Sequence, residues 1–154
     1  MLEIGQEVPE FSLHDSARKM VTCSEHKGKK VILAFFPAAF TGVCSTEMCT
    51  FQDSLGALND ANATVLGISV DAPFSNQAFI DKNNLTFPIL SDYTRSATNS
   101  YGVTLENFGG MDGYTAAQRA VFIIDEAGKL MWQWIADNPG QQPDYTEVLA
   151  IVNA

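Results

Sequence analysis

"KVILAFFPAAFTGVCSTEMC", residues 30–49, decides the fold and most of the chemistry. After Lys30 its next six residues, 31–36, are a continuous apolar run, the pattern of a central strand covered on both faces. Pro37 follows that run. From about Gly42 the apolar positions Val43, Met48, Phe51, Leu55 and Leu58 predict a helix reaching Ala61. Cys44 therefore falls where a strand ends and a helix begins. Unpaired backbone N–H groups and the positive end of the helix dipole there favour thiolate over thiol, and thiolate is the nucleophile. Thr41, three residues earlier, can turn its hydroxyl toward the sulfur or toward a bound ligand. Pro37 fixes φ and removes a competing donor, which suits a pocket wall. Glu47, one turn on, can orient a basic partner; its plainer reading is an acidic residue that favours the helix dipole.

The expected basic partner is Arg119. The chain has only three arginines, and this one abuts the apolar strand "AVFII" instead of lying on an open helix face. A guanidinium held there would favour an ionised sulfur and stabilise charge developing on a leaving oxygen. The reading requires that the sulfur be ionised near neutral pH and reachable.

Around this junction the chain alternates strand-like and helix-like stretches. "EFSLHD" (10–15) and "KMVTCSE" (19–25) predict an N-terminal β-hairpin, and "ATVLGISV" (63–70) a second central strand. A helix is expected over 72–84, with Pro73 in its first turn where the missing N–H does no harm. "FPILSD" (87–92) predicts a short strand, and 93–103 a helix closed by Gly102. A long glycine-containing loop is expected over 104–117. "RAVFIID" and "KLMWQWIA" then flank "EAG" as a hairpin, and "PDYTEVLAIVNA" gives a final helix with Tyr145, Val148, Leu149 and Val152 on its apolar face. This order predicts an α/β, thioredoxin-like fold: a central mixed sheet flanked by helices, with the hairpin as an N-terminal extension. The whole chain, 1–154, is expected to be a single domain.

Composition narrows the function classes. Hydrophobic residues make up 46 % and charged residues 18 %, ordinary for a globular chain. A formal net charge of −9 argues against nucleic acid or an anionic membrane as partner. The densest cationic patch, "HKGKK" (26–30), reads as a solvated turn. No secretory signal is recognisable and "VILAFF" is too short to span a bilayer, so a cytoplasmic location is expected. Three cysteines, an odd number, favour chemistry over a disulfide framework.

"PAAFTGVC" matches the peroxiredoxin active-site pattern P-x-x-x-T-x-x-C, and the chain resembles that family over nearly its whole length. "GISVDAPFS", "FPILSD", "YGV", "QRAVFIIDEAGKL" and "DNPGQQPDY" are similar to peroxiredoxin segments in the expected order. The resemblance implies that Pro37, Thr41, Cys44 and Arg119 form the catalytic set, with Cys44 the peroxidatic cysteine. It implies thiol-dependent reduction of hydrogen peroxide and organic hydroperoxides, no metal or organic cofactor, a thioredoxin-like or other thiol reductant, and a homodimer. The Cys44–Cys49 spacing resembles the bacterioferritin-comigratory (Q-type) subgroup, in which the resolving cysteine sits in the same helix. "AAFTGVC" looks more like the one-cysteine, alkyl-hydroperoxide-reductase-like subgroup. Cys49 is therefore read either as the resolving cysteine or as a small residue packing the helix face. An intact helix would separate the two Cα atoms by roughly 7.5 Å along its axis, about 140° apart, so resolution needs the first turns to unwind.

The remaining candidates have plainer readings. Cys23 is expected to pack as a small hydrophobe, and a zinc site from Cys23, His26, Cys44 and Cys49 has poor spacing. His14 reads as a strand surface residue. Trp132 and Trp134 fall on one sheet face, with core packing ahead of dimer contact, and packing is the default for Phe40 and Phe108. Two other functions compete: a disulfide reductase, disfavoured by the lack of C-x-x-C, and a redox sensor or oxidation-triggered holdase using Cys44 without turnover.

Overall fold

The computed structural model describes residues 1–154. Its centre is the strand anticipated at residues 30–36, which forms β3 (Lys30–Phe35) and is buried from Val31 onward. The N-terminal hairpin is β1 (Ser12–His14) and β2 (Met20–Thr22), both shorter than the alternation suggests. β4 (Ala63–Ser69) and β5 (Ile89–Ser91) run parallel to β3, with Ile32 opposite Val65 and Ile68 opposite Leu90. β8 (Ala120–Ile124) and β9 (Leu130–Ile135) form the antiparallel hairpin on the other side. The resulting seven-stranded mixed sheet has the order β2-β1-β5-β4-β3-β8-β9.

Alternate residues of each central strand feed two different cores, as the pleat demands. Ile32, Ala34 and Phe36 face the side covered by α1 (Gly42–Asp53), α2 (Leu55–Asp60), α3 (Pro73–Asn83) and α5 (Tyr145–Asn153). Val31, Leu33 and Phe35 face Phe11, Leu13 and the short α4 (Ser96–Ser100). Gly67 lies where chains approach closely: a Cβ there would meet the Cδ1 end of Ile89 and lie 3.5 Å from the sulfur of Met48 on α1. The missing side chain leaves room for α1 against the sheet.

Three expectations about helices and loops change. The helix expected from Gly42 to Ala61 is two helices, broken at Ser54 (φ −90°, ψ 0°), where Ser54 and the following Gly56 are weak helix formers. The break lets α2 turn Leu58 fully into the core. The helix expected over 93–103 contracts to α4, because the buried Asp92 carboxyl accepts from the N–H groups of Ala97 (3.1 Å) and Thr98 (2.7 Å) and so sets the start late. Its end follows the sequence: Gly102 has φ +71°, and Val103 N–H returns to Thr98 C=O at 3.0 Å. The loop at 104–117 carries its own ladder, β6 (Thr104–Leu105) paired with β7 (Ala116–Ala117).

Trp132 and Trp134 share a face and pack, half-buried, on the core beneath α5, where Trp132 Nε1 donates to Glu147 at 3.2 Å. His14 stacks on Tyr93. Phe108 meets Tyr114 edge to face, whereas Phe40 departs from the packing expectation and is 56 % exposed. No helix is long and apolar enough to cross a membrane.

Candidate active site

The site lies at the carboxyl ends of the parallel strands β3 and β4, where α1 and α3 depart, the usual position for ligands in such sheets. Thr41 caps α1 with extended backbone (φ −82°, ψ 149°), and the first helical hydrogen bond runs from Ser45 N–H to Thr41 C=O at 3.0 Å. The N–H groups of Gly42, Val43 and Cys44 precede that ladder and have no protein partner. They converge at the turn that carries the Cys44 sulfur.

Arg119, the residue just before β8, reaches across from the neighbouring strand. Its Nη2 donates to Cys44 Sγ at 3.0 Å and its Nη1 to Glu47 Oε1 at 3.3 Å. Its Nε donates to the Pro139 carbonyl at 3.1 Å, which fixes the plane of the guanidinium. Cys44, Glu47 and Arg119 are all buried. Glu47 Oε2 has no hydrogen-bond partner. Burial of this carboxyl outweighs the attraction of Arg119 and pushes its pKa up to about 8. The plainer reading of Glu47, an acidic first-turn residue that favours the helix dipole, does not fit: the first turn of α1 holds no acidic residue, and Glu47 is buried against Arg119.

The other candidates are placed as follows. Thr41 Oγ1 donates to the Ala38 carbonyl at 2.9 Å, so its proton is committed and its lone pairs remain to accept. Pro37 is buried behind the loop. Cys49 is half-buried on α1, its thiol donating to Asn83 Oδ1 of α3 at 3.6 Å, and all three cysteines are free. Cys23 belongs to the core on the opposite face of the sheet from Cys44. No group of three or more His, Cys, Asp or Glu is gathered to hold a metal ion. One expectation is corrected: Cys44 is 0 % exposed, so in this conformation its sulfur is not reachable from solvent. The same packing that brings the guanidinium to the sulfur closes the site.

Two contributors escaped the sequence reading. The Pro139 carbonyl and the side chain of Asp71, which accepts from Ala39 N–H at 2.8 Å, both hold the site in place. Asp71 lies two residues beyond β4, at the carboxyl edge of a parallel strand, and that position was the available signal.

A thiol at the start of the helix after a central strand, in this sheet order, defines a thioredoxin-like redox protein. The chain belongs to the AhpC/TSA family, whose model matches residues 4–133, and is thus a peroxiredoxin, a thiol peroxidase. It is 38 % identical over 133 residues to the putative peroxiredoxin bcp of Coxiella burnetii, covering 86 % of this chain and 88 % of that one. It is similar to the crystal structure of peroxidoxin BcpB from Mycobacterium tuberculosis, with a TM-score of 0.87 at 25 % identity over 99 % and 97 % of the two chains. It is also similar to the Xanthomonas campestris bacterioferritin comigratory protein, studied for alkyl peroxide reduction, with a TM-score of 0.80 at 25 % identity over 92 % and 89 %.

Proposed function

We propose that Cys44 is the thiol that reduces peroxide, and the observation that carries this reading is the 3.0 Å approach of Arg119 Nη2 to its sulfur. The Cys44 thiolate attacks one oxygen of the peroxide; an S–O bond forms, the O–O bond breaks, and water or an alcohol leaves after taking up a proton. The free N–H groups of Val43 and Cys44 hold the peroxide, Thr41 Oγ1 accepts from its hydroxyl, and the guanidinium offsets charge on the departing oxygen. Glu47 braces that guanidinium and Pro37 closes the wall. Hydrogen peroxide and organic hydroperoxides are the substrates, the latter in keeping with the alkyl peroxide reduction studied for the Xanthomonas relative. Because the sulfur is covered, entry requires the 37–44 turn to open transiently.

Cys49 then attacks the sulfenic sulfur, forming a Cys44–Cys49 disulfide and releasing water, and a dithiol reductant such as thioredoxin reopens it. The first turns of α1 must unwind for this, and the Cys49–Asn83 contact must break. That contact also favours the second reading, a one-cysteine peroxidase in which Cys49 packs between α1 and α3. The chain acts as one domain over 1–154, as a homodimer, in the reducing cytoplasm, where such a disulfide is transient.

Peroxide consumption with dithiothreitol, wild type against Cys44→Ser, tests the first part: loss of turnover supports it and retained turnover overturns it. Mass spectrometry after one equivalent of peroxide tests the second, with a Cys44–Cys49 linked peptide expected. A persistent sulfenic acid on Cys44 alone would leave the one-cysteine reading.

A further inference from the structure

We propose that Asp71 is a positioning residue for the peroxidase reaction, acting through the Ala39 amide to hold Thr41 and the first turn of α1 opposite Arg119. The inference rests on Cys44 being the reacting thiol.

Asp71 links the sheet to the loop that carries the site. Its Oδ2 accepts both the Ala39 N–H at 2.8 Å and the Ser69 hydroxyl at 2.8 Å. Its own backbone is fixed from three elements. The Asp71 N–H donates to Ser69 Oγ at 3.3 Å, and its carbonyl accepts from the Ser91 hydroxyl at 2.5 Å and the Asn76 amide at 3.5 Å. Ser69 ends β4, Ser91 ends β5, Asn76 lies on α3, and all three are buried. The carboxyl is therefore presented from a rigid frame. Its contact with Ala39 spans 32 positions of sequence and reaches the short turn between Pro37 and Thr41.

That turn is strained. Phe40, next to Ala39, has φ +69°, a left-handed conformation that a bulky side chain rarely adopts. Most of its side chain is exposed, with an edge-to-face contact to Phe79 at 5.5 Å between ring centres. Such a conformation persists where its surroundings over-determine it. Asp71 supplies that constraint on the N-terminal side of Phe40, and the Thr41 hydroxyl bond to Ala38 supplies it on the other. Without the carboxyl, Ala39 N–H loses its partner and Phe40 relaxes toward negative φ. The dihedrals of Thr41 then change, and the free N–H groups of the first turn rotate away from the sulfur–guanidinium line. Neither Cys44 nor Arg119 is touched, yet the geometry they share is lost.

The test compares Asp71→Ala, Asp71→Asn and Ser69→Ala in the full-length protein. Three quantities are read: the rate of Cys44 oxidation by hydrogen peroxide in stopped flow, the pH midpoint of Cys44 alkylation by iodoacetamide, and thermal unfolding. Asp71→Ala is expected to slow oxidation at least about tenfold and to move the alkylation midpoint upward. Asp71→Asn keeps an acceptor for Ala39 N–H and should recover most of both, with Ser69→Ala between them. Wild-type rates in Asp71→Ala would overturn the proposal. So would slowing that follows lost thermal stability in all three variants while the alkylation midpoint stays fixed. Should Asp71→Ala fail to fold, Ser69→Ala decides by the same two readouts. Turnover retained in Cys44→Ser would instead overturn the assignment of the reacting thiol, and the positioning role with it.

Discussion

Cys44 and Cys23 are both buried thiols, one in each core of the same sheet, and almost everything else about them differs. Cys44 sits in the first turn of a twelve-residue helix with a guanidinium 3.0 Å from its sulfur. Cys23 precedes a single 3₁₀ turn, beside Glu10 and Tyr101, at the edge of a cavity of about 150 Å³ also lined by His26 and Lys27. Burial first, and then the Glu10 carboxylate, push the Cys23 thiol up to about 11. Burial with a carboxylate beside it thus favours the neutral thiol. The Cys44 sulfur instead faces a fixed cation and the unpaired amides of a helix N-terminus, the surroundings in which a nucleophilic thiol is expected.

The largest effect expected from this contrast is all-or-none. Cys44→Ser should abolish peroxide turnover, while Cys23→Ser should leave the rate within about twofold, and a steady-state assay with dithiothreitol reads both. Comparable losses in the two variants would erase the distinction. Next in size is the cation. Arg119→Gln should lower the rate of Cys44 oxidation by roughly 10²–10³, with partial recovery in Arg119→Lys, whose single ammonium cannot serve both Cys44 and Glu47 in the same plane. Stopped-flow kinetics against peroxide concentration measures it, and a loss under about threefold would mean that the guanidinium is only structural.

The smallest effect concerns Glu47 and is read as stability. Between the ordinary carboxyl value of 4.5 and about 8, the native protein binds more protons at this site than the unfolded chain does. Its contribution to stability therefore falls as pH rises through that window and levels off above it. Glu47→Gln should flatten the slope and gain up to a few kcal/mol relative to wild type at pH 9, with little difference at pH 4. Urea unfolding at both pH values tests this; a wild-type stability that climbs from pH 5 to 8 only when Glu47 is present would reverse the sign.

Much of this arrangement is legible in the sequence, unevenly. The strand-to-helix junction at residues 30–49 is a local pattern of apolar run, proline and helical period, and local patterns survive folding. The break at Ser54 is not legible, because the apolar period continues across it and only packing of Leu58 selects the bend. Arg119 is singled out by its rarity and its place before an apolar strand. Its contact with Cys44, 75 positions away, exists only once β8 pairs with β3. Asp71 lies in the peroxiredoxin-like segment "GISVDAPFS" and just after a strand, but neither feature shows its bond to Ala39, and Pro139 acts through a backbone carbonyl that any residue could supply. The covering of the sulfur is likewise a property of the closed fold and of no motif.

The most direct test of the account is to treat the reduced protein with less than one equivalent of hydrogen peroxide at neutral pH, trap sulfenic acid with dimedone, and map all three cysteines by mass spectrometry. Oxidation is expected on Cys44, as the dimedone adduct or as a disulfide with Cys49, with Cys23 unmodified. Oxidation that starts on Cys23, or that spreads evenly over the three thiols, would contradict it.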